Sequence, residues 1–113
     1  MREAPILRET LLALSSLQWQ GKRACVVWRQ NVGTFRHLYG EGVIKIGVEG
    51  MAYIGGVMAD GRALQIECKS SEGALTKAQR NWRYTVQAMG GVHLVIRSSE
   101  SAVSQVLEAL DGR

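Results

Sequence analysis

The sequence is poor in three things: proline, which occurs once, cysteine, which occurs twice, and long apolar runs. Cys25 and Cys68 are far apart and form no CxxC or Cys/His cluster, which argues against zinc and leaves a disulfide neither implied nor excluded. No uninterrupted apolar stretch resembles a signal peptide or a membrane span, so the expectation is a soluble, cytoplasmic protein. There is no repeat, no low-complexity segment and no linker, and 113 residues suffice for one compact domain spanning 1–113. Neither charge sign dominates. Fourteen Lys and Arg against ten Asp and Glu give +4, which suits a polyanionic partner without requiring one. With 46% hydrophobic residues, the chain can bury a core.

The periodicities then order the chain. Pro5 suits a first helical turn, and Leu7, Leu11, Leu14 and Leu17 recur at helical spacing, predicting a helix over roughly the first eighteen residues. Gln20-Gly21-Lys22 ends it. Residues 24–28 form a fully apolar run that reads as a buried strand, and the polar, glycine-punctuated residues 29–41 read as a loop. Met51 to Met58 and Ala63 to Lys69 read as two strands joined by Asp60-Gly61, a hairpin signal because both turn positions favour positive φ. Seven of the thirteen glycines lie between Gly40 and Gly61, but no Gly-Lys-Ser/Thr follows them, so they read as bends rather than a phosphate loop. Thr76 begins a second helix with Ala78, Trp82, Val86 and Met89 on one face, and Gly90-Gly91 stops it. Residues 92–96 form another apolar strand. A closing helix carries Val103, Val106, Leu107 and Leu110.

Chemistry concentrates in the second strand of the hairpin. Gln65, Glu67 and Lys69 share one strand face by alternation, with Leu64, Ile66 and Cys68 on the other. Read plainly, that is a wet sheet face displaying an acid and a base. Read for function, a carboxylate beside an ammonium at a strand end suits phosphodiester hydrolysis. The carboxylate can hold a hard cation that activates water, and the lysine can offset transition-state charge.

The surrounding motifs run in a distinctive order: Gly47 to Gly56, Asp60-Gly61-Arg62, Ile66-Glu67-Cys68-Lys69, Leu75 to Gln79, and Gly90-Gly91-Val92, preceded by Trp28 to Gly33 and Glu3. Together they resemble the virus-type replication-repair nuclease domain (VRR-NUC) of the PD-(D/E)xK superfamily, in its stand-alone phage and bacterial form, over nearly the whole chain. The resemblance implies an α/β fold with a restriction-endonuclease-like core: a mixed sheet with a central hairpin, flanked by helices. It implies Mg2+ (or Mn2+) held by Glu67 and the Cys68 main-chain carbonyl, Lys69 as the catalytic lysine, and Glu3 and Gln79 as further members of the site. Activity implied by the family is structure-selective DNA cleavage, with homodimers resolving four-way (Holliday) junctions in DNA repair.

One position departs from the pattern. Where the family places an aspartate metal ligand, this chain has Tyr53. A phenol titrates at about pH 10, so it is neutral and a poor magnesium ligand. Asp60 lies about 23 Å along the strand and Glu49 about 13 Å upstream, at about 3.3 Å per residue. Glu72, in a loop, and Glu3 are the other acids within reach of consideration. Two readings follow: a nuclease whose cleavage is crippled at Tyr53, or a branched-DNA-binding protein that keeps the fold without cutting. A third is an unrelated α/β domain in which Glu67 and Lys69 are a surface ion pair.

Other residues carry competing roles. Thr76 and Gln79 have the spacing of a capping box, which competes with a site role for Gln79 because one side chain must face both ways. Lys77, Arg80 and Arg83, with Tyr84, form either a solvated helix face or a phosphate-contacting one. Arg29, Asn31, Arg36 and His37 are candidate DNA contacts from the polar loop. His93 and the tryptophans Trp19, Trp28 and Trp82 read as packing residues.

Overall fold

A computed structural model describes residues 3–36 and 40–112, with side chains at all of these except 33–36 and 44–46. Helix α1 spans Glu3–Ser15 and buries Ile6, Thr10 and Leu14, an i, i+4, i+8 line. The expected leucine stripe is displaced: Leu7, Leu11 and Leu17 are only partly buried and flank the core. The helix is wedged between sheet and third helix, so its buried line is set by those two neighbours. Helix 1 also ends earlier than its periodicity suggested. Strands β1 (Gln18–Trp19) and β2 (Lys22–Arg23) form a small hairpin turned by Gln20 at φ 50° and Gly21 at φ 79°. Paired positive φ values are what a tight two-residue hairpin turn requires.

Strand β3 (Cys25–Arg29) is followed by β4 (Gly33–Arg36) and β5 (Val43–Ile46), which pair antiparallel as a separate ribbon. The expectation of a loop over 29–41 is therefore corrected. The pairing of β4 with β5 joins segments apart in the chain, which the local pattern of a polar, glycine-punctuated stretch does not record. His37 falls outside the described residues.

Strands β6 (Ile54–Met58) and β7 (Ala63–Cys68) make the expected hairpin. Its turn differs from the two-residue form. Met58 N–H donates to Arg62 C=O at 2.8 Å, and Gly61 has φ 91° while Asp60 has no positive φ. Asp60 instead accepts from Arg62 N–H at 3.1 Å and from its guanidinium, which also donates to Ala109 C=O at 2.7 Å.

Helix α2 (Lys77–Ala88) crosses over to β8 (Val92–Ile96), which pairs parallel with β7, and α3 (Ser99–Asp111) closes the chain. The sheet order is β3-β6-β7-β8, antiparallel except for the β7–β8 pair. The fold is thus α/β, a mixed four-stranded sheet with three helices. The main core lies on the face covered by α1 and α3, where Ile6, Leu14, Leu64, Ile66, Ile96 and Val106 are wholly buried. Each such side chain contributes about 1.5–3 kcal/mol by leaving water. Among the described residues no helix is long and apolar enough to cross a membrane.

Candidate active site at the end of the central hairpin

Gln65, Glu67 and Lys69 do share a strand face, but it is not a wet one. They are 8%, 1% and 7% exposed, because α2 lies across β7 and β8 on the side away from the main core. The surface ion-pair reading is corrected accordingly. Glu67 Oε1 accepts from Gln79 Nε2 at 3.3 Å, while its buried Oε2 has no hydrogen-bond partner among the described residues. Burial raises the Glu67 pKa to about 7; Lys69 pulls it down and Glu3 pushes it up. Among the described residues Glu67 and Lys69 form no ion pair within 4.0 Å, so Lys69 acts on Glu67 across a gap.

Gln79 makes the capping contacts and reaches Glu67 as well, although one side chain was expected to serve only one of these. Its Oε1 accepts from Thr76 N–H at 2.9 Å and its Nε2 donates to Glu67, while Thr76 Oγ1 accepts from Gln79 N–H at 3.2 Å. The two ends of one amide point opposite ways, so the capping box aims the donor at the carboxylate.

Glu3 is exposed at the start of α1 yet near enough to raise the pKa values of Glu67 and Cys68. The Cys68 thiol, pushed up to about 12 mainly by burial, stays protonated and inert. The β6–β7 register, extended one pair beyond Ile54↔Ile66, sets Tyr53 opposite Glu67. Two features hold Tyr53 there: its carbonyl accepts from Gln30 N–H at 2.6 Å, and Gly50 packs on the first turn of α2. A Cβ at Gly50 would lie 2.1 Å from the Ala78 carbonyl oxygen, and its φ is 82°. This bend starts β6 at Ile54 rather than at Met51.

A second polar group lines the same layer. Gln65 Oε1 accepts from Trp82 Nε1 and Gln30 Nε2, both at 3.0 Å, and Gln30 Nε2 also donates to the Ala52 carbonyl at 2.8 Å. Trp82 is therefore a hydrogen-bonded packing residue. This network ties β3, β7 and α2 together beneath the site, and Gln30 and Gln65 were not singled out as site residues by pattern. Gln65 between apolar neighbours was the available signal, but it also describes a solvated strand. His93, on the same face by its register with Gln65, is buried as expected of a structural histidine. Both of its ring nitrogens lack partners among the described residues, and burial, assisted by Arg83, lowers its pKa to about 4.

The proposed DNA contacts scatter. Lys77, Arg80 and Arg83 are exposed on α2, though Arg80 Nη1 donates to the Leu75 carbonyl at 2.9 Å. Arg29 lies toward α1, in a groove with Leu7 and Arg8, and not on the face that bears Glu67. Asn31 is exposed, and the Arg36 side chain lies outside the described ones. Met89, expected on the apolar stripe of α2, is 86% exposed as the C-cap. Trp28 and Val26, expected inside, are 46% and 45% exposed.

The donor set does not make a self-sufficient site for a divalent cation. The unpartnered Glu67 Oε2 suits a metal ligand, and the Cys68 carbonyl is the neutral oxygen implied beside it. Facing them is Tyr53, and Mg2+ relies on one or two carboxylates in near-octahedral geometry. Among the described residues no group of three or more His, Cys, Asp and Glu side chains converges. Asp60 is engaged with Arg62 at the far end of the hairpin. Comparisons with protein-family models, curated proteins and solved structures found no match to this chain.

Proposed function

We propose that this chain is a nuclease-type, DNA-directed domain of restriction-endonuclease-like architecture, with cleavage crippled at Tyr53. In this reading Glu67, Lys69, Gln79 and Glu3 form the phosphodiester site. The observation that supports it best is the buried Glu67 carboxylate with a free oxygen beside buried Lys69, a costly pair that a purely structural sheet has no need to keep. Lys69 supplies positive charge to a phosphate, and Gln79 orients the carboxylate. Mg2+ or Mn2+ dependence, four-way-junction selectivity and action as a homodimer belong to the same proposal.

The test is a cleavage assay on four-way and flapped DNA with Mg2+ or Mn2+, comparing the parent with Tyr53→Asp and with Tyr53→Asp/Lys69→Ala. Metal-dependent cutting created by the first change and abolished by the second is expected. A folded Tyr53→Asp protein that cuts nothing sinks the nuclease reading.

A second reading is favoured by Tyr53 itself: a branched-DNA-binding protein without cleavage. Junction binding that weakens steeply with salt, with no cutting by either protein, supports it.

A further inference from the structure

On the face of the sheet that carries Glu67, helix α2 covers β7 and β8 and leaves the β3–β6 half open. The residues standing there are apolar and half exposed: Val26 at 45%, Trp28 at 46%, Val57 at 43% and Tyr53 at 46%. Their common face follows from register, since Val26 pairs with Val57 and Trp28 pairs with Gly55, which in turn pairs with Gln65. Gln30 confirms it. Its side chain lies over Gly55, where an added Cβ would fall 2.3 Å from Oε1, and it reaches Gln65 on the same side.

Trp28 and Tyr53 are therefore diagonal neighbours across Gly55, at about 7–8 Å between positions. Gly55 adds no side chain between them, and the Gln30 side chain lies against it. The Gln30 amide is already committed to Gln65 and Ala52, so the floor offers little for reading a base edge.

We propose that Trp28 and Tyr53 form a stacking platform for an unpaired base of a nucleic-acid strand whose backbone runs past Glu67 and Lys69. This rests on the nucleic-acid reading above and adds the substrate class: DNA with a single-stranded or splayed segment. Charge complementarity selects the occupant, since the chain carries +4 and Lys77, Arg80 and Arg83 are exposed on the neighbouring helix. Aromatic faces beside a cationic surface suit successive bases without sequence preference. In this light Tyr53 does work that the aspartate of the family pattern cannot do.

The experiment is fluorescence anisotropy with a labelled twelve-nucleotide single strand and a blunt duplex of equal length, in chelator. Parent, Trp28→Phe and Trp28→Leu are compared, with circular dichroism as the check on folding. The parent should prefer the single strand; Trp28→Leu should lose roughly ten-fold on it and little on duplex, and Trp28→Phe should retain most of the affinity. Equal affinity of folded Trp28→Leu and parent for the single strand overturns the platform and leaves the nuclease reading standing. So does an equal loss on both DNAs. A Trp28-dependent dimer seen by sedimentation, with DNA affinity unmoved, makes the face an interface between copies and also overturns it. Failure of the parent to bind any DNA at low salt overturns both readings together.

Discussion

Replacing Glu67 by glutamine should stabilise the protein progressively as pH rises. Glu67 is 1% exposed, and burial holds its pKa at about 7 against an ordinary value of 4.5. The folded state therefore binds the proton more tightly than the unfolded chain. Stability is complete below the unfolded value and falls as pH climbs through 4.5 to about 7, levelling off above the folded value. At about 1.4 kcal/mol per unit, the ionised carboxylate costs the parent about 3.5 kcal/mol at alkaline pH. At pH 5 that cost is about 1 kcal/mol, so the advantage of Glu67→Gln should grow by about 2.5 kcal/mol between pH 5 and pH 8.5. Comparing the two pH values removes any constant cost of the new amide, such as an unpaired N–H beside Gln79. His93 titrates in both proteins and cancels. Urea unfolding in chelator, followed by circular dichroism, measures the difference. A pH-independent gap between the two proteins, or a gap that shrinks as pH rises, would refute the argument that Glu67 is a desolvated carboxyl.

Three further outcomes follow from the packing. His93, with its pKa lowered from 6.5 to about 4, costs stability in the opposite sense. Because Glu67 titrates in the opposite sense over the same range, the readout is the difference between parent and His93→Leu, in which Glu67 cancels: the parent should lose up to about 3 kcal/mol relative to the variant as pH falls from 6.5 towards 4. Gly50→Ala, which sets a Cβ 2.1 Å from the Ala78 carbonyl oxygen at φ 82°, should cost about 2–4 kcal/mol in urea unfolding. Gly61→Ala, at φ 91° with open space around it, should cost only about 1–2 kcal/mol, which separates backbone strain from collision. Thr76→Ala removes the cap of α2 and should cost about 1 kcal/mol in the same assay. The Gln79 side chain is held by the Thr76 main-chain N–H, which alanine keeps, so the Glu67 pKa, readable by carboxyl NMR, should stay close to its parent value.

Helix and strand order was legible because its signals are local. Gly90-Gly91 stops α2, Thr76 caps it, and the apolar run 92–96 matches β8 in both bounds. The ribbon of β4 and β5 was illegible, since its pairing is not a local signal and glycines punctuate its sequence. Helix 1 shows the intermediate case, its existence plain in the leucine spacing and its inward line misread in favour of Leu7 and Leu11 over Ile6 and Thr10. A helix's own sequence offers a broad apolar arc, and neighbouring elements choose which line within it is sealed.

The candidate site divides the same way. Sequence alone determined that Gln65, Glu67 and Lys69 share a strand face, because alternation is a property of the chain; the expectation of a carboxylate at Tyr53 came from the resemblance. Burial of that face was decided by α2 folding back over β7 and β8, which turned two ordinary surface charges into desolvated ones. Tertiary structure also gave Gln79 its contact with Glu67, twelve residues away, beside the Thr76 cap that the spacing had already supplied. The same folding left Trp28 and Val26 uncovered, although their run reads as buried, since an apolar strand is covered only where another element lies across it.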